Sequence, residues 1–438
     1  MRFLLLPIGS SGDVHPYVGL GRTLKARGHE VTVATNPHFE PLVRGAGLNF
    51  APIGTAEGFE VFLDNPDLWH RTKSWKVALR WGALDSLRQM YDVVAEFYRP
   101  GETVVAGSCM AFGARIAQEK LGVPYASIHL EPDKFRSLHR TPIMQPPMML
   151  QDWVPKISKR TQLWIADRLV VDRFVGPPTN SFRRELSLPP VRRLIADWWH
   201  SPQRVIGLFP RWYCPPQSDW PPQSVLTGFP IWDRSETTQP PHELSQWLEK
   251  HERPIVFTPG TGNRHAIRFF QAAVEACHRL GRPGILLTPY RYQAPATLPS
   301  SVMCAPYVPF RYLLPRAAAL VHHAGIGTTA QGLMAGIPQV VMPMTFSQPD
   351  DASRLVRHGV AASLSPRRFR GARLARLLNS LLNSPEVARR CRALADRIDG
   401  EQPLVQTSDL LEQLIGSDVG VTEGMASEAN ERAAYCTG

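Results

Sequence analysis

The segment His322-His323-Ala324-Gly325-Ile326-Gly327-Thr328-Thr329 combines residue types that hold a diphosphate. Its glycines let the backbone come close to a ligand. The free N–H groups at the start of the following helix, with the positive end of its dipole, suit phosphate oxygens. His323 offers a ring N–H, and Thr328 and Thr329 offer hydroxyls. The same pattern also fits a tight strand-to-helix turn in which glycine serves packing and threonine caps the helix. Two further segments favour the ligand. Pro259-Gly260-Thr261-Gly262 opens the same half of the chain with another glycine turn able to give backbone contacts to a nucleotide. Ser347-Gln348-Pro349-Asp350-Asp351 follows the next strand and puts polar groups beside the cradle, suited to sugar hydroxyls. Neither glycine turn is a G-x-x-x-x-G-K-[ST] phosphate loop.

Far away in sequence, Asp13 follows Gly9-Ser10-Ser11-Gly12. A carboxylate at the end of a first strand, facing a cleft, can serve as a general base. An Asp ahead of a helix with Pro16 in its first turn is equally a helix cap. Residue pattern alone leaves these readings even. His15 competes, because its ordinary pKa of about 6.5 suits base work at neutral pH. Two residues on, it projects elsewhere on the turn and reads as an acceptor-lining side chain.

Both groups need strands that end at a ligand. Residues 2–8 form an apolar run, 15–27 carry helical spacing closed by Gly28, and Glu30–Thr35 (EVTVAT) is β-branched. Strand, glycine turn, helix and strand make a βαβ unit. The alternation recurs at 103–106, 111–120 and 124–128. It begins again after a proline-crowded stretch at 210–241, with strands at 254–258, 284–288, 318–322 and 339–342 and helices at 266–280 and 330–335. The expected division is a first α/β domain at 1–215, a stiff proline-rich linker at 216–242, a second α/β domain at 243–416 and a frayed tail at 417–438. Residues 58–98 read as helices inserted on the first scaffold.

A chain of 438 residues with 43% hydrophobic content has material for two cores. No apolar run approaches the roughly 20 residues of a membrane span, and the N-terminus reads as a strand rather than a leader. Six cysteines without C-x-x-C spacing predict reduced thiols in a cytoplasmic protein. The net charge of +11 is carried mostly by dispersed arginines, which argues against nucleic acid and leaves peripheral contact with an anionic inner membrane face open. Trp69, Trp75, Trp81, Phe97, Met144, Met148, Met149, Trp153 and Trp164 lie in or beside the insertions. Singly each is ordinary core; together they suggest a hydrophobic acceptor, with Trp81 and Met148 chosen as pocket residues.

Residues 307–359, from YVPFRYLLP through HHAGIGTT to SQPDDASRLVRHG, resemble the donor signature of family 1 glycosyltransferases. The N-terminal GSSGDVHPYVGLGRTLKARGHEVTVAT resembles their sterol and glycopeptide glucosyltransferase branch, and 198–233 resembles the rhamnosyltransferases of rhamnolipid synthesis. The resemblance spans residues 1 to about 415. It implies an α/β GT-B fold, two facing Rossmann-like domains with parallel sheets, the first binding acceptor and the second donor. It also implies inverting transfer of a hexose or deoxyhexose from a UDP- or dTDP-linked donor to a hydrophobic, lipid-like acceptor, with no cofactor and no required metal. It places His323 and Thr328 on the diphosphate beside Gly325 and Gly327, the Val308 backbone at the base, Gly260 and Thr261 near the nucleotide, and Gln348 on the sugar. Gln331 falls where plant members carry a ribose-binding Glu. The family carries Asp-Gln at the sugar contact; here it is Ser347-Gln348, with Asp350 or Asp351 as substitutes for the missing acid. Sterol and glycopeptide members carry Asp at the position of Asp13, which favours the base reading. A catalytically silent nucleotide-binding partner of another transferase is the alternative. A sugar-nucleotide epimerase is disfavoured by Asp13 and the insertions. An NAD oxidoreductase is disfavoured because Ala34-Thr35-Asn36 ends the second strand without an acid.

Overall fold

Strand Arg2–Leu6 (β1, RFLLL) is buried at every position after its first, as a strand covered on both faces must be. With β2 (Glu30–Thr35), β3 (Asn49–Pro52), β4 (Thr103–Gly107), β5 (Tyr125–His129), β6 (Arg204–Gly207) and β7 (Ser224–Leu226) it forms a parallel sheet ordered β3-β2-β1-β4-β5-β6-β7. A second parallel sheet contains β8 (Ile255–Thr258), β9 (Gly284–Leu287), β10 (Val302–Ala305), β11 (Ala319–His322), β12 (Gln339–Val341) and β13 (Ala361–Ser363), ordered β10-β9-β8-β11-β12-β13. The computed structural model describes residues 1–143, 151–233 and 241–415. The two sheets are the Rossmann-like pair expected. In each, strand order reverses beside the first strand, at β1/β4 and at β8/β11. Such a switch point opens a crevice at the carboxyl ends of the strands.

Six helices line the cleft, brace it or cover its outer side: α1 (Ser11–Ala26), α2 (Lys156–Ala166), α3 (Asp172–Glu185), α4 (Ile326–Met334), α5 (Gln348–Arg357) and α6 (Gln402–Glu412). Two start earlier than their apolar periodicity predicts. α1 begins at Ser11 rather than near His15, with Ser10 as its N-cap. α4 begins at Ile326 rather than Ala330, with Gly325 and not a threonine as N-cap. In both cases the first turn is made of small and polar residues that carry no hydrophobic period, so the pattern registers only from the second turn.

The proline-crowded crossing is more than a connector. β7 lies inside the stretch read as linker and pairs with β6, so the first sheet continues to Leu226. The prolines Pro221, Pro222 and Pro230 lie outside that strand, where no ladder N–H is required. The chain also crosses back. α6 packs on α1, and Arg27 pairs with Asp409 at 2.7 Å and Glu412 at 2.9 Å, while His29 meets Glu412 at 2.7 Å. A second bridge joins Arg264, after β8, to Asp64 at 2.7 Å and to Glu60, both on the helix Ala56–Asp64. These contacts tie the two sheets across the cleft at two separate places.

The expected insertion helices form at Ala56–Asp64, Ser74–Leu79 and Leu87–Phe97. Trp75 and Phe97 pack against the first core rather than a site, Trp75 edge-on to Phe174. Cys109, Cys214, Cys277, Cys304 and Cys391 are free thiols. No described helix is long and apolar enough to cross a membrane.

Candidate active site

The two switch points face one cavity of about 360 Å³. From the first sheet, Asp13 and His15 reach it from α1. From the second, Gly260 and Thr261 reach it after β8, and His323, Gly325, Gly327, Thr328 and Gln331 after β11. Val308, Ser347 and Gln348 complete that wall, and Trp81 stands on the opposite one. Thr329 is fully buried and, like Asp350 and Asp351, does not line the cavity; the other residues given a site role from sequence within the described residues all do. Met148, like Met144 and Met149, lies outside the described residues. Trp153 and Trp164 are exposed surface and contribute nothing to the cavity.

Asp13 sits at the third position of α1, not at its cap. Its Oδ2 accepts the Ser10 backbone N–H at 2.7 Å and the Ser10 hydroxyl at 3.0 Å. This reciprocal cap leaves a carboxylate at a helix N-terminus yet turned into the cavity. Gly9 makes it possible: a Cβ there would fall 2.3 Å from Asp13 Oδ2, and its φ of +149° suits glycine. Burial raises the pKa of Asp13, opposed by the Ser10 bonds and by the charge of Lys134.

The opposite wall is a helix N-terminus. The first intrahelical bond of α4 runs from Thr329 N–H to Gly325 carbonyl at 2.9 Å. The N–H groups of Ile326, Gly327 and Thr328 come before it and have no acceptor within the helix. Ala324 adopts φ +69°, a left-handed conformation uncommon for alanine, directly between His323 and the helix. The His323 ring lies between two glycines. A Cβ on Gly325 would meet its Nε2 at 2.4 Å, and one on Gly260 its Cε1 at 2.7 Å. Burial lowers the His323 pKa to about 4, so the ring is neutral at pH 7 and donates from one nitrogen. Its buried Nδ1 has no hydrogen-bond partner among the described residues, and neither has the buried Oε1 of Gln331. Unsatisfied polar atoms lining a cavity are sites for a ligand's polar groups. His322, by contrast, is core: its Nε2 is 2.8 Å from Gln339 Oε1, and burial lowers its pKa to about 3.

Further along the same wall Gln348 Oε1 accepts the N–H groups of Met344 at 2.9 Å and Thr345 at 3.3 Å. The residue also lines the cavity. Asp350 and Asp351 do not replace the missing family acid. Both are buried away from the cavity, Asp350 holding Arg354 at 2.7 Å and Asp351 accepting from Tyr213 Oη at 3.0 Å. Their sequence neighbours Ser347 and Gln348 reach the cavity; one helical turn sends the acids into the interface with the proline-rich crossing.

Glu131 and Lys134, after β5, are site residues that sequence reading missed. Lys134 Nζ lies 2.7 Å from Asp133 and 3.8 Å from Glu131. Burial, with Asp13 and Asp133 nearby, pushes Glu131 up to about 7 despite Lys134. The only signal available was position, since the segment follows a strand of the parallel sheet. Trp232, from the crossing, stands edge-on to His15 at 5.5 Å. Phe62, Leu68, Trp69 and Met110 make the rest of the first wall apolar, and Phe346 adds an aromatic ring from the second. Among the described residues no group of three or more His, Cys, Asp or Glu is placed to hold a metal ion.

Comparison with known proteins agrees with this geometry. Residues 3–138 match the glycosyltransferase family 28 N-terminal domain. Residues 285–404 match the C-terminal domain of erythromycin biosynthesis protein CIII-like proteins. The chain is 30% identical over 426 residues to the O-mycaminosyltylonolide 6-deoxyallosyltransferase of Streptomyces fradiae, covering 94% of this chain and 97% of that enzyme. It is 28% identical over 380 residues to a sterol 3-beta-glucosyltransferase of Arabidopsis thaliana, covering 84% of this chain and 58% of the plant protein. The crystal structure of the glycosyltransferase VinC in complex with dTDP superposes with a TM-score of 0.68 at 18% identity, over 95% of this chain and 99% of VinC. Fold, cleft and sequence kinship together make this chain a member of the family of GT-B glycosyltransferases that use nucleotide-sugar donors.

Proposed function

We propose that this enzyme transfers a hexose or deoxyhexose, with inversion, from a dTDP- or UDP-linked donor to a hydroxyl of a bulky apolar acceptor of the macrolide or sterol kind. The observation that carries the proposal is the placement of Asp13 and the His323 cradle on opposite walls of one cleft. An acceptor oxygen beside Asp13 Oδ1 would lose its proton to that carboxylate as it attacks the anomeric carbon. Oδ2 stays with Ser10. The diphosphate leaves on the other side, toward the α4 N-terminus and His323, which take up its charge. One displacement across the cleft inverts the anomeric configuration. Val308 would hold the base through its backbone, Gln331 a ribose hydroxyl through its unpaired Oε1, and Gln348 a sugar hydroxyl. The apolar wall of Phe62, Leu68, Trp69, Trp81 and Trp232 favours a ring-built alcohol over a polar glycan. The donor assignment draws on the dTDP bound by VinC and on the deoxysugar named for the Streptomyces relative.

Titration with nucleoside diphosphates tests the donor half. A ligand at a hundred times its Kd stabilises a protein by about 2.7 kcal/mol, so dTDP or UDP is expected to raise Tm by several degrees while GDP does so less. An unmoved Tm with both pyrimidine diphosphates would remove the donor reading. Slow hydrolysis of the donor without acceptor is expected of an active enzyme, and its complete absence would favour a silent partner.

The carboxyl cluster gives the pH dependence. The charge of Asp13 raises the pKa of Glu131, so the two carboxyls titrate as an interacting pair. Each has a raised pKa, so turnover is present above the pair's titration and falls as pH drops through it. Glu131→Gln removes a like charge and is expected to move this acid limb to lower pH. Lys134→Met removes the cation that favours ionisation and moves it to higher pH. Profiles of kcat/KM against pH that coincide for wild type and both variants would separate this cluster from the proton transfer.

A further inference from the structure

Helix α2 carries its side chains the wrong way round for a surface helix. Its inward positions are polar: Lys159 is buried and donates to the Leu138 carbonyl at 3.3 Å. Asp167, just past its end, is buried and accepts from Arg136 at 2.7 Å. Only Leu163 brings an apolar side chain to the same inward row. The outward positions are apolar. Ile157 is 68% exposed, Trp164 56% and Leu169 52%, with Trp153 at 73% just ahead of the helix. Ile165 and Val170 belong to the same exposed run. Trp164 and Ile165, seven and eight residues after Ile157, share its face of α2, and Leu169 and Val170 continue the exposed run in the turn Asp167–Val171. A soluble helix has the reverse distribution, and a contiguous exposed apolar patch of this kind marks an interaction surface.

The charges around the stripe identify what it meets. Lys156, Arg160, Arg168 and Arg173 are exposed along the same span, against one exposed acid, Asp152. The remaining acids there are engaged, Asp167 with Arg136 and Asp172 with the backbone N–H groups of Arg193 and Leu194. Arg168 and Arg173 also border a shallow groove with Arg192. Aromatic and aliphatic side chains flanked by cations match the interfacial layer of an anionic bilayer, tryptophan at headgroup depth and arginine on phosphates. The surface lies on the back of the acceptor wall. α2 is pinned to the loop that follows Glu131 and Lys134, and Phe174 of α3 packs on Trp75, beside the turn Arg80–Leu84 that carries Trp81.

We infer that the exposed face of α2 and the start of α3 docks this enzyme on membranes rich in anionic phospholipid, placing the acceptor side of its cleft next to the bilayer. This inference stands apart from the identity of the sugar or the acceptor. It is tested by co-sedimentation of the full chain with vesicles of phosphatidylcholine alone and of phosphatidylcholine mixed with phosphatidylglycerol. Wild type is expected to pellet with the mixed vesicles, to release with salt, and to stay in solution with phosphatidylcholine alone. The double variants Trp164→Glu/Leu169→Glu and Arg160→Glu/Arg168→Glu are each expected to lose about tenfold or more in vesicle affinity. Donor hydrolysis in the same preparations should match wild type, which separates failure of docking from failure of the enzyme. The inference is overturned if wild type ignores the mixed vesicles, or if both variants bind as wild type does. It is also overturned if sedimentation velocity finds a dimer that Trp164→Glu dissociates, since a second copy would then own this face.

Discussion

Asp13→Asn is expected to lower kcat/KM about 10²- to 10⁴-fold, the range a positioned general base contributes, while leaving dTDP or UDP affinity unchanged. The substitution is chosen because Asp13 has two jobs. Its Oδ2 accepts from the Ser10 N–H and hydroxyl and so helps to cap α1. An asparagine keeps an amide oxygen for the Ser10 N–H and preserves the cap, but it cannot take a proton. Losing a cap costs about 1 kcal/mol of stability, which lowers Tm without touching chemistry. The two roles therefore separate cleanly in one variant. If Asp13 is the base, turnover collapses at an unchanged Tm and an unchanged nucleotide-induced stabilisation. Turnover close to wild type would assign Asp13 to the helix cap alone, with Glu131 the next carboxylate in the cavity to test. The raised pKa of Asp13 fits the first outcome, since a desolvated carboxylate is a stronger base than one in water.

The halves of the site differ in how far sequence disclosed them. The wall from the second sheet was legible because it is local: His323, Gly325, Gly327 and Thr328 sit on one strand-to-helix connection, and glycines and hydroxyls in that order have a physical meaning before any fold is known. What local pattern missed was the start of α4, whose first turn Ile326-Gly327-Thr328-Thr329 has no hydrophobic period. The free N–H groups expected at that helix start therefore belong to Ile326, Gly327 and Thr328, inside the glycine-rich segment itself, rather than to residues after it. The opposite wall is assembled from segments far apart, Asp13, Phe62, Trp81, Glu131 and Trp232, and only the topology of the first sheet brings them together. Composition identified tryptophans near the insertions without telling Trp81 in the cavity from Trp75 in the core or Trp164 at the surface. The same limit applies to Asp350 and Asp351. Helical geometry puts them a turn beyond Ser347, where Arg354 and Tyr213 engage them. β7 was hidden because its three residues lie among prolines, a composition that ordinarily argues against a strand.

Gly325→Ala is expected to cost as much as His323→Ala, although it removes no functional group. Loss of one pre-positioned donor to a developing charge lowers kcat about 10²- to 10³-fold, and His323→Ala should fall in that range with a weaker dTDP-induced Tm shift. At Gly325 the backbone has φ −66° and ψ 140°, which any residue adopts, so alanine brings no conformational strain. Its methyl, however, would stand 2.4 Å from His323 Nε2, less than any real contact allows, and the imidazole must swing out. Gly260→Ala is a poorer probe, because φ +91° adds backbone strain to a 2.7 Å clash with the same ring. The double variant His323→Ala/Gly325→Ala closes the cycle. With the ring gone the alanine methyl has room, so the second substitution should add little to the first, a coupling almost as large as either single effect. Independent, additive losses would mean that Gly325 serves the phosphates through its own backbone and that His323 acts apart from it.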